Sequence, residues 1–352
     1  MKQGRFTTLE SFVTEVLRQK DDAHDIAAKN TSIILANPNT MIHTNGKASE
    51  YQMLPLGHEQ LSSRLNIPKK YYDDIKTNHP DLLTHTVNYL LPKSNEGYLV
   101  RTLDSKVRAV LSPRYRPLDN APLLNSIIQP LYNNGFELAS AELTDTRMYF
   151  KVISKSMITE YKVGNAVRAG FWFQNSEVGH SRISGGLFIE FLNCLNGMKL
   201  NKDYGFARNH SGKAIDFNDN MEAYYTSATR QLDEQTYFAK ITDVVNGMIG
   251  SPEGFKAVVQ RFKDASEQKI TGNPDKALEA LSNSLLLSKE ESVGVLRSLI
   301  KGGDLTRMGM ANAFTDYSKE VADYDRATDF ESYGGKIIEL AQSDWNTIAQ
   351  AA

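Results

Sequence analysis

Apolar residues recur at helical spacing near the start of the chain. Phe12, Val13, Val16, Leu17 and Ile26 predict one amphipathic helix over residues 5–29. Thr31–Met53 breaks that period. A short apolar run at Ile33–Leu35, a turn at Asn37-Pro38-Asn39 and a further β-forming stretch predict two strands there. Helical spacing returns from Gly57, with His58–Leu65 and Lys69–Lys76 joined through Asn66-Ile67-Pro68. A proline just inside a helix is tolerated, because its missing N–H is one the first turn leaves unpaired. Two short helices joined in this way can resemble a helix-turn-helix. No recognition helix rich in Arg, Asn or Gln follows, so the expected role is a helical corner packed on the core.

The middle of the chain reads as sheet. Tyr98–Leu103 and Val107–Leu111 are rich in β-formers and flank a turn at Asp104-Ser105-Lys106. Asp119 or Asn120 then caps a helix through Leu123, Leu124, Ile127, Ile128 and Leu131, which Asn133-Asn134-Gly135 ends. Phe136–Ala141 with Arg147–Ile153 predicts a second hairpin. Val167–Gln174 with Ser184–Leu192 predicts a third, joined by the loop Asn175–Ile183. This order predicts an α+β fold, a central antiparallel sheet with packed helices, rather than alternating βαβ units.

Beyond about Asp219 the pattern is helical, over Met221–Val245, Gly254–Gln268, Asp275–Leu287, Lys289–Lys301 and Leu305–Val321. Asn273-Pro274-Asp275 marks a helix start, and Gly302-Gly303-Asp304 separates two helices. Three regions follow: a mixed helical and strand region at 1–97, a central α+β domain at 98–215, and an acidic, mainly helical C-terminal domain at 216–352.

The 352 residues, with 41% apolar and 23% charged side chains, have an ordinary globular balance. Cys194 is the single cysteine, which excludes an internal disulfide and a multi-cysteine zinc site and fits a reducing cytoplasm. Charged and polar residues interrupt every apolar run of MKQGRFTTLESFVTEVL, and no stretch approaches the ~20 apolar residues of a membrane span. A cytoplasmic location without a membrane partner is expected. The net charge of −2 is unevenly spread. Lys+Arg against Asp+Glu is 11 to 11 over residues 1–97, 15 to 9 over 98–213, and 14 to 22 over 214–352. The middle is therefore the part suited to an anion.

Three stretches carry a family likeness: LGHEQLSSRLNIPKKYY at Leu56–Tyr72, VRAVLSPRYRPLDN at Val107–Asn120, and AGFWFQNSEVGHSRISGGLFIEFLNCLNG at Ala169–Gly197, followed by ARNHSGK at Ala207–Lys213. From about residue 50 to 215 the chain resembles the phage/plasmid-like proteins grouped as domain of unknown function 932. It departs at Leu192–Gly197, where the family more often carries an arginine upstream and a threonine before Asn-Gly. The resemblance implies a protein of a phage or other mobile element and implies no mechanism.

The candidate chemistry lies in the same stretches. Arg101, Lys106, Arg108, Arg114 and Arg116, with Tyr98 and Tyr115, place five cations and two aromatics within nineteen residues. Single-strand binders combine cations for the backbone with aromatic faces on which bases stack, each worth ~1–3 kcal/mol. On this reading Arg101, Arg108, Arg114 and Arg116 hold phosphates while Tyr98 and Tyr115 stack. The other reading puts Tyr115 in the core and pairs the arginines with carboxylates such as Asp119. A second candidate is the polar loop with Asn175, Glu177, His180 and Arg182, joined by Arg208, His210 and Lys213 downstream. A catalytic or metal site could be drawn from Glu177, His180, Cys194, His210 and Asp216. There is no HExxH, Cys-x-x-Cys, Gly-x-Ser-x-Gly or Walker A spacing, so no catalytic residue, metal or cofactor is assigned.

The expected function is nucleic-acid binding, to single-stranded DNA, in replication, recombination or strand annealing of a mobile element. The C-terminal helices would mediate self-association or recruit a protein partner. A protein-interaction factor that modulates or counters a host protein is the first alternative, and an enzyme acting on a nucleotide or nucleic acid is the second.

Overall fold

The structure, a computed structural model, describes residues 4–45, 47–94, 97–193, 196–200, 205–210, 227–251 and 253–351. A short strand, β1 (Gly4–Phe6), precedes helix α1 (Leu9–Asp22). Thr8 starts α1 by accepting the Ser11 N–H at 3.2 Å, and the helix buries Phe12 and Val16. It ends well short of residue 29, which corrects the expected 5–29 helix. His24–Ala28 instead forms β2, paired antiparallel with Tyr98–Thr102. Pairing with a strand far along the chain overrides the local period there.

Residues 31–53 form three strands rather than two: β3 (Ile33–Asn37), β4 (Thr40–Asn45) and β5 (Lys47–Met53). Helices α2 (Pro55–Arg64), α3 (Lys69–Asn78) and α4 (Pro80–Leu90) follow, then the hairpin β6 (Tyr98–Leu103) and β7 (Lys106–Leu111). Asp104 and Ser105 at its turn have φ of 50° and 59°, the positive values that match a two-residue turn to strand twist. The six strands run in the order β2-β6-β7-β5-β4-β3, antiparallel except for β5 beside β7. Leu61, Tyr72, Ile75, Leu83 and Val87 of the three helices pack on Ile33, Leu35, Val100, Val107 and Val110. The helical corner is thus part of this core. Because β6 and β7 share a sheet with β2–β5, the expected boundary at residue 97 runs through one sheet.

Helix α5 (Asn120–Asn133) leads into β8 (Phe136–Leu143), β9 (Met148–Lys162), β10 (Asn165–Asn175), β11 (Ile183–Phe191), β12 (Asn196–Lys199) and β13 (Gly205–Arg208). These form a larger antiparallel sheet in the order β1-β8-β9-β10-β11-β12, with β13 also on β11. Alternation divides its faces. Phe150, Val152, Phe171, Phe173, Leu187 and Ile189 face the main core, while Lys151, Trp172, Phe188 and Lys199 face the other way. Gly185 leaves room for two rings: a Cβ there would meet Phe206 at 2.7 Å and Phe173 at 2.9 Å. This accounts for glycine in Ser184-Gly185-Gly186 without a phosphate loop.

Among the described residues seven α-helices follow: α6 (Ser227–Gly250), α7 (Glu253–Glu267), α8 (Pro274–Leu285), α9 (Lys289–Gly302), α10 (Arg307–Tyr317), α11 (Tyr324–Glu339) and α12 (Gln342–Ala349). The first five match the expected helices with shifted ends, whereas α11 and α12 lie beyond them. Asn273 caps α8 by accepting the Asp275 N–H at 2.8 Å. Ser288 and Glu291 form a reciprocal capping box on α9, and Gly303 (φ 66°) ends it. These helices share one hydrophobic core with the large sheet, as Phe262 of α7 against Tyr161 and Phe191 shows, at 5.8 and 5.7 Å between rings. The fold is α+β, and among the described residues no helix is long and apolar enough to cross a membrane.

Candidate nucleic-acid interface

The two sheets meet where β6–β7, the start of α5 and the loop after β10 converge. Arg101 is at the centre and donates three hydrogen bonds: Nε to Asp25 Oδ1 at 2.7 Å, Nη1 to the Glu177 carbonyl at 2.6 Å, and Nη2 to Asp119 Oδ1 at 2.9 Å. Asp119 precedes α5 but makes no capping bond, because its carboxylate is drawn to Arg101. Glu177 takes over that task. Its Oε1 accepts the Asn120 N–H at 2.9 Å, and its Oε2 accepts from Arg108 Nη1 at 3.0 Å. A carboxylate suits a helix N-terminus, where unpaired N–H groups carry partial positive charge. Burial opposes its ionisation, yet Arg108, Arg101 and the Asn120 N–H together hold its pKa below the usual carboxylate value. Asn175 donates to the Leu118 carbonyl at 2.7 Å and to Asn120 Oδ1 at 2.9 Å. Gln60 of α2 closes the junction, donating to the Val178 carbonyl at 2.7 Å and accepting the Val110 N–H at 2.8 Å.

This geometry corrects the expected binding face. Tyr98 is 2% exposed in the core under α2–α4, and Arg101 and Arg108 are 6% and 7% exposed. Both faces of β6–β7 are covered, so no alternation of buried and exposed positions betrays which residues point outward. The register also skips Arg108: Arg101 pairs with Ala109 and Thr102 with Val107. Arg108 is the extra residue of a bulge, which re-aims it at Glu177. The other reading, arginines paired with carboxylates, forms for Arg101 on Asp119 and Arg108 on Glu177, whereas Arg114 is exposed and Tyr115 only half-buried. Lys106, half-exposed, sits at the far end of β7 from Arg114 and is not brought to the same place.

Around the junction lies a rim of outward cations. Tyr115 is half-buried, its hydroxyl donating to the Ser176 carbonyl at 3.1 Å and its ring stacked 5.2 Å from His210 at 10°. Arg116 and His210 are tied by a backbone bond of 2.8 Å, and burial pushes the His210 pKa down to about 4. Gly179 (φ 74°) lets the loop close on Leu111 and Tyr115, where a Cβ would meet them at 2.8 and 3.3 Å. Arg114, His180 and Arg182 are exposed and Arg116 is half-exposed. The guanidinium groups of Arg114 and Arg182 have no carboxylate partner among the described residues. Arg208 pairs with Asp233 at 2.5 Å and lies 4.7 Å from the Tyr237 ring. Lys213, Cys194 and Asp216 lie outside the described residues. Among the described residues no group of His, Cys, Asp and Glu could hold a metal ion. Both oxygens of Glu177 are committed to structural bonds.

Comparison of the chain with protein-family models, curated proteins and solved structures finds no match.

A second charged cluster, on the outer face of the large sheet, has no counterpart in the sequence reading. Lys199 is 2% exposed, with Nζ 3.9 Å from the Trp172 ring centre and 3.4 Å from Gln174 Oε1. Burial, helped by Lys151, pulls its pKa down to about 7. Lys151 Nζ bonds both Glu331 oxygens at 2.7 and 2.5 Å, and the Tyr149 hydroxyl donates to Asp325 at 2.7 Å. The available signal was lysine inside the apolar β stretches Met148–Ile153 and Gly197–Leu200.

Proposed function

We propose that the protein binds single-stranded nucleic acid, DNA in the first place, through the rim around Arg114 and Arg182. The observation that carries this reading is a contrast in pairing. The arginines behind the rim, Arg101 and Arg108, are held by carboxylates, while these two are exposed and have no carboxylate partner among the described residues. The cations come from the loops before α5 and after β10. With Tyr98 in the core and Tyr115 covered by His210, the contact is to phosphates rather than to stacked bases. Such binding is insensitive to sequence and weakens steeply with salt. The resemblance to phage and plasmid proteins implies a mobile element and no mechanism; in such an element, single-strand binding would serve replication, recombination or strand annealing.

Fluorescence anisotropy with labelled single- and double-stranded oligonucleotides at two salt concentrations tests this. Tighter binding of the single strand, lost at the higher salt, is expected. Absence of binding to either form at low salt overturns it.

A protein-partner reading is favoured by one observation. Val293 and Ile300 on α9 are 56% and 71% exposed, two turns apart on one helix face. On that reading the C-terminal helices dock a second copy or a host protein, and light scattering after gel filtration distinguishes a dimer from a monomer.

A further inference from the structure

One cation of the rim is engaged differently from the others. Arg208 of β13 lies opposite Ile183 of β11, one strand spacing, roughly 4.8 Å, from the residue that follows Arg182. It thereby adds to the arginines at this edge. Arg114 and Arg182 have no carboxylate partner among the described residues, whereas Arg208 Nη2 donates to Asp233 Oδ2 at 2.5 Å. Unlike the pairs of the buried joint, both partners reach solvent, with side chains 32% and 63% exposed. An exposed ion pair gains little over hydration, so a competing anion can take the place of the carboxylate.

The carboxylate comes from α6. Asp233 and Tyr237 are one turn apart on this helix, and the Arg208 guanidinium also lies 4.7 Å from the Tyr237 ring centre. The ring keeps the guanidinium in position whichever anion it meets. Helix α6 is itself fixed along α5, where Thr242 Oγ1 donates to the Ser126 carbonyl at 2.8 Å. Glu234, half-buried and next to Asp233, is within electrostatic reach of Arg208 and Arg116. Burial, with Asp119 and Asp233, holds its pKa above the usual carboxylate value. The first turns of α6 thus set two carboxylates against the basic edge.

We propose that Arg208 is a third phosphate-binding arginine of the rim, and that Asp233 fills the place of a phosphate there until nucleic acid displaces it. The acidic edge of α6 is then an autoinhibitory contact that sets the affinity for single strands, while Arg114 and Arg182 make the first contact. Such competition presupposes the single-strand reading of the rim.

The test is fluorescence anisotropy with a labelled single-stranded oligonucleotide, on the full wild-type chain and on Asp233→Asn, Asp243→Asn, Arg208→Ala and Arg208→Ala/Asp233→Asn. Asp243 is an exposed residue of the same helix, roughly 15 Å further along, so its substitution makes the same change in net charge away from Arg208. One further phosphate contact steepens the log–log salt slope by roughly 0.7, which is about fivefold in affinity at about 0.1 M salt. Asp233→Asn should show both changes, and Asp243→Asn much less of either. The gain should vanish when Arg208 is also replaced by alanine. Equal effects of Asp233→Asn and Asp243→Asn overturn the proposal, as does a gain that survives Arg208→Ala. Wild-type binding that does not respond to Asp233→Asn removes the autoinhibitory contact and leaves the single-strand reading standing. If no protein in the set binds at low salt, the single-strand reading falls and the competition with it.

Discussion

Two charged clusters are buried in this protein, one at the junction of the sheets and one between the large sheet and α11. At the junction Arg101 and Arg108 meet Asp25, Asp119 and Glu177, and the Asn120 N–H and the Glu177 carbonyl fill remaining positions. Under α11 the Lys151–Glu331 pair is complete, but Lys199 beside it meets a ring face and one amide oxygen instead of a carboxylate. Burying a charge is expensive unless partners surround it. The first cluster is therefore a joint in which each charge has an opposite partner, so that removing one strands another. The second carries a cation the fold would be more stable without.

Breaking the joint should give the largest effect. Arg101→Met leaves Asp119 and Asp25 without their partner and a carbonyl without its donor, and should cost about 3–5 kcal/mol in chemical denaturation. A cost no larger than that of an exposed substitution would deny the joint its role. Lys199→Met should act in the opposite direction, stabilising by about 1–4 kcal/mol because volume is kept and a poorly matched charge removed. Its pH dependence follows from a pKa near 7 in the fold against 10.5 when unfolded. Below about pH 7 the folded state carries the buried charge and the full penalty, and the penalty shrinks as pH rises toward 10.5. The gain should be greater at pH 6 than at pH 9, and equal gains at both would contradict the assignment.

A smaller effect is expected on acidification. His58 and His210 are both pulled by burial from 6.5 to about 4. The unfolded chain takes up protons more readily between those values, so stability is intact above about pH 6.5 and falls toward pH 4. His210→Phe, which keeps a ring against Tyr115, should flatten that slope in melts recorded from pH 7 to 4.5. The smallest effect on stability belongs to the rim. Arg114→Ala/Arg182→Ala should change unfolding by no more than about 0.5 kcal/mol.

Much of this fold is legible in the sequence, for reasons that also mark where legibility stops. The hairpins of residues 98–111 and 136–192, α5, and the starts of α8 and α9 depend on neighbours in the chain: turn residues, caps and local alternation. The strand at His24–Ala28 is dictated by β6, more than seventy residues away, so Ile26 reads as helix. Helix α11 contains Gly334-Gly335, which depress helix propensity, and its stability comes from packing. For the junction, the sequence brings Arg101, Arg108, Arg114 and Arg116 together as one basic cluster. It cannot show that Asp25 and Glu177 close on the first two and leave Arg114 and, with Arg182, an outward rim. Asn196 and Lys199 are ordinary polar residues until folding buries them.

The most direct test of the division between buried joint and exposed rim is the salt dependence of single-stranded DNA binding by Arg114→Ala/Arg182→Ala beside the wild-type chain. If both guanidiniums contact phosphate, the double variant should bind more weakly and its log–log salt slope should be shallower by roughly 1.4. Its melting temperature should be unchanged. Wild-type affinity and slope in the variant would contradict the account, placing the contact elsewhere or removing nucleic acid from the function.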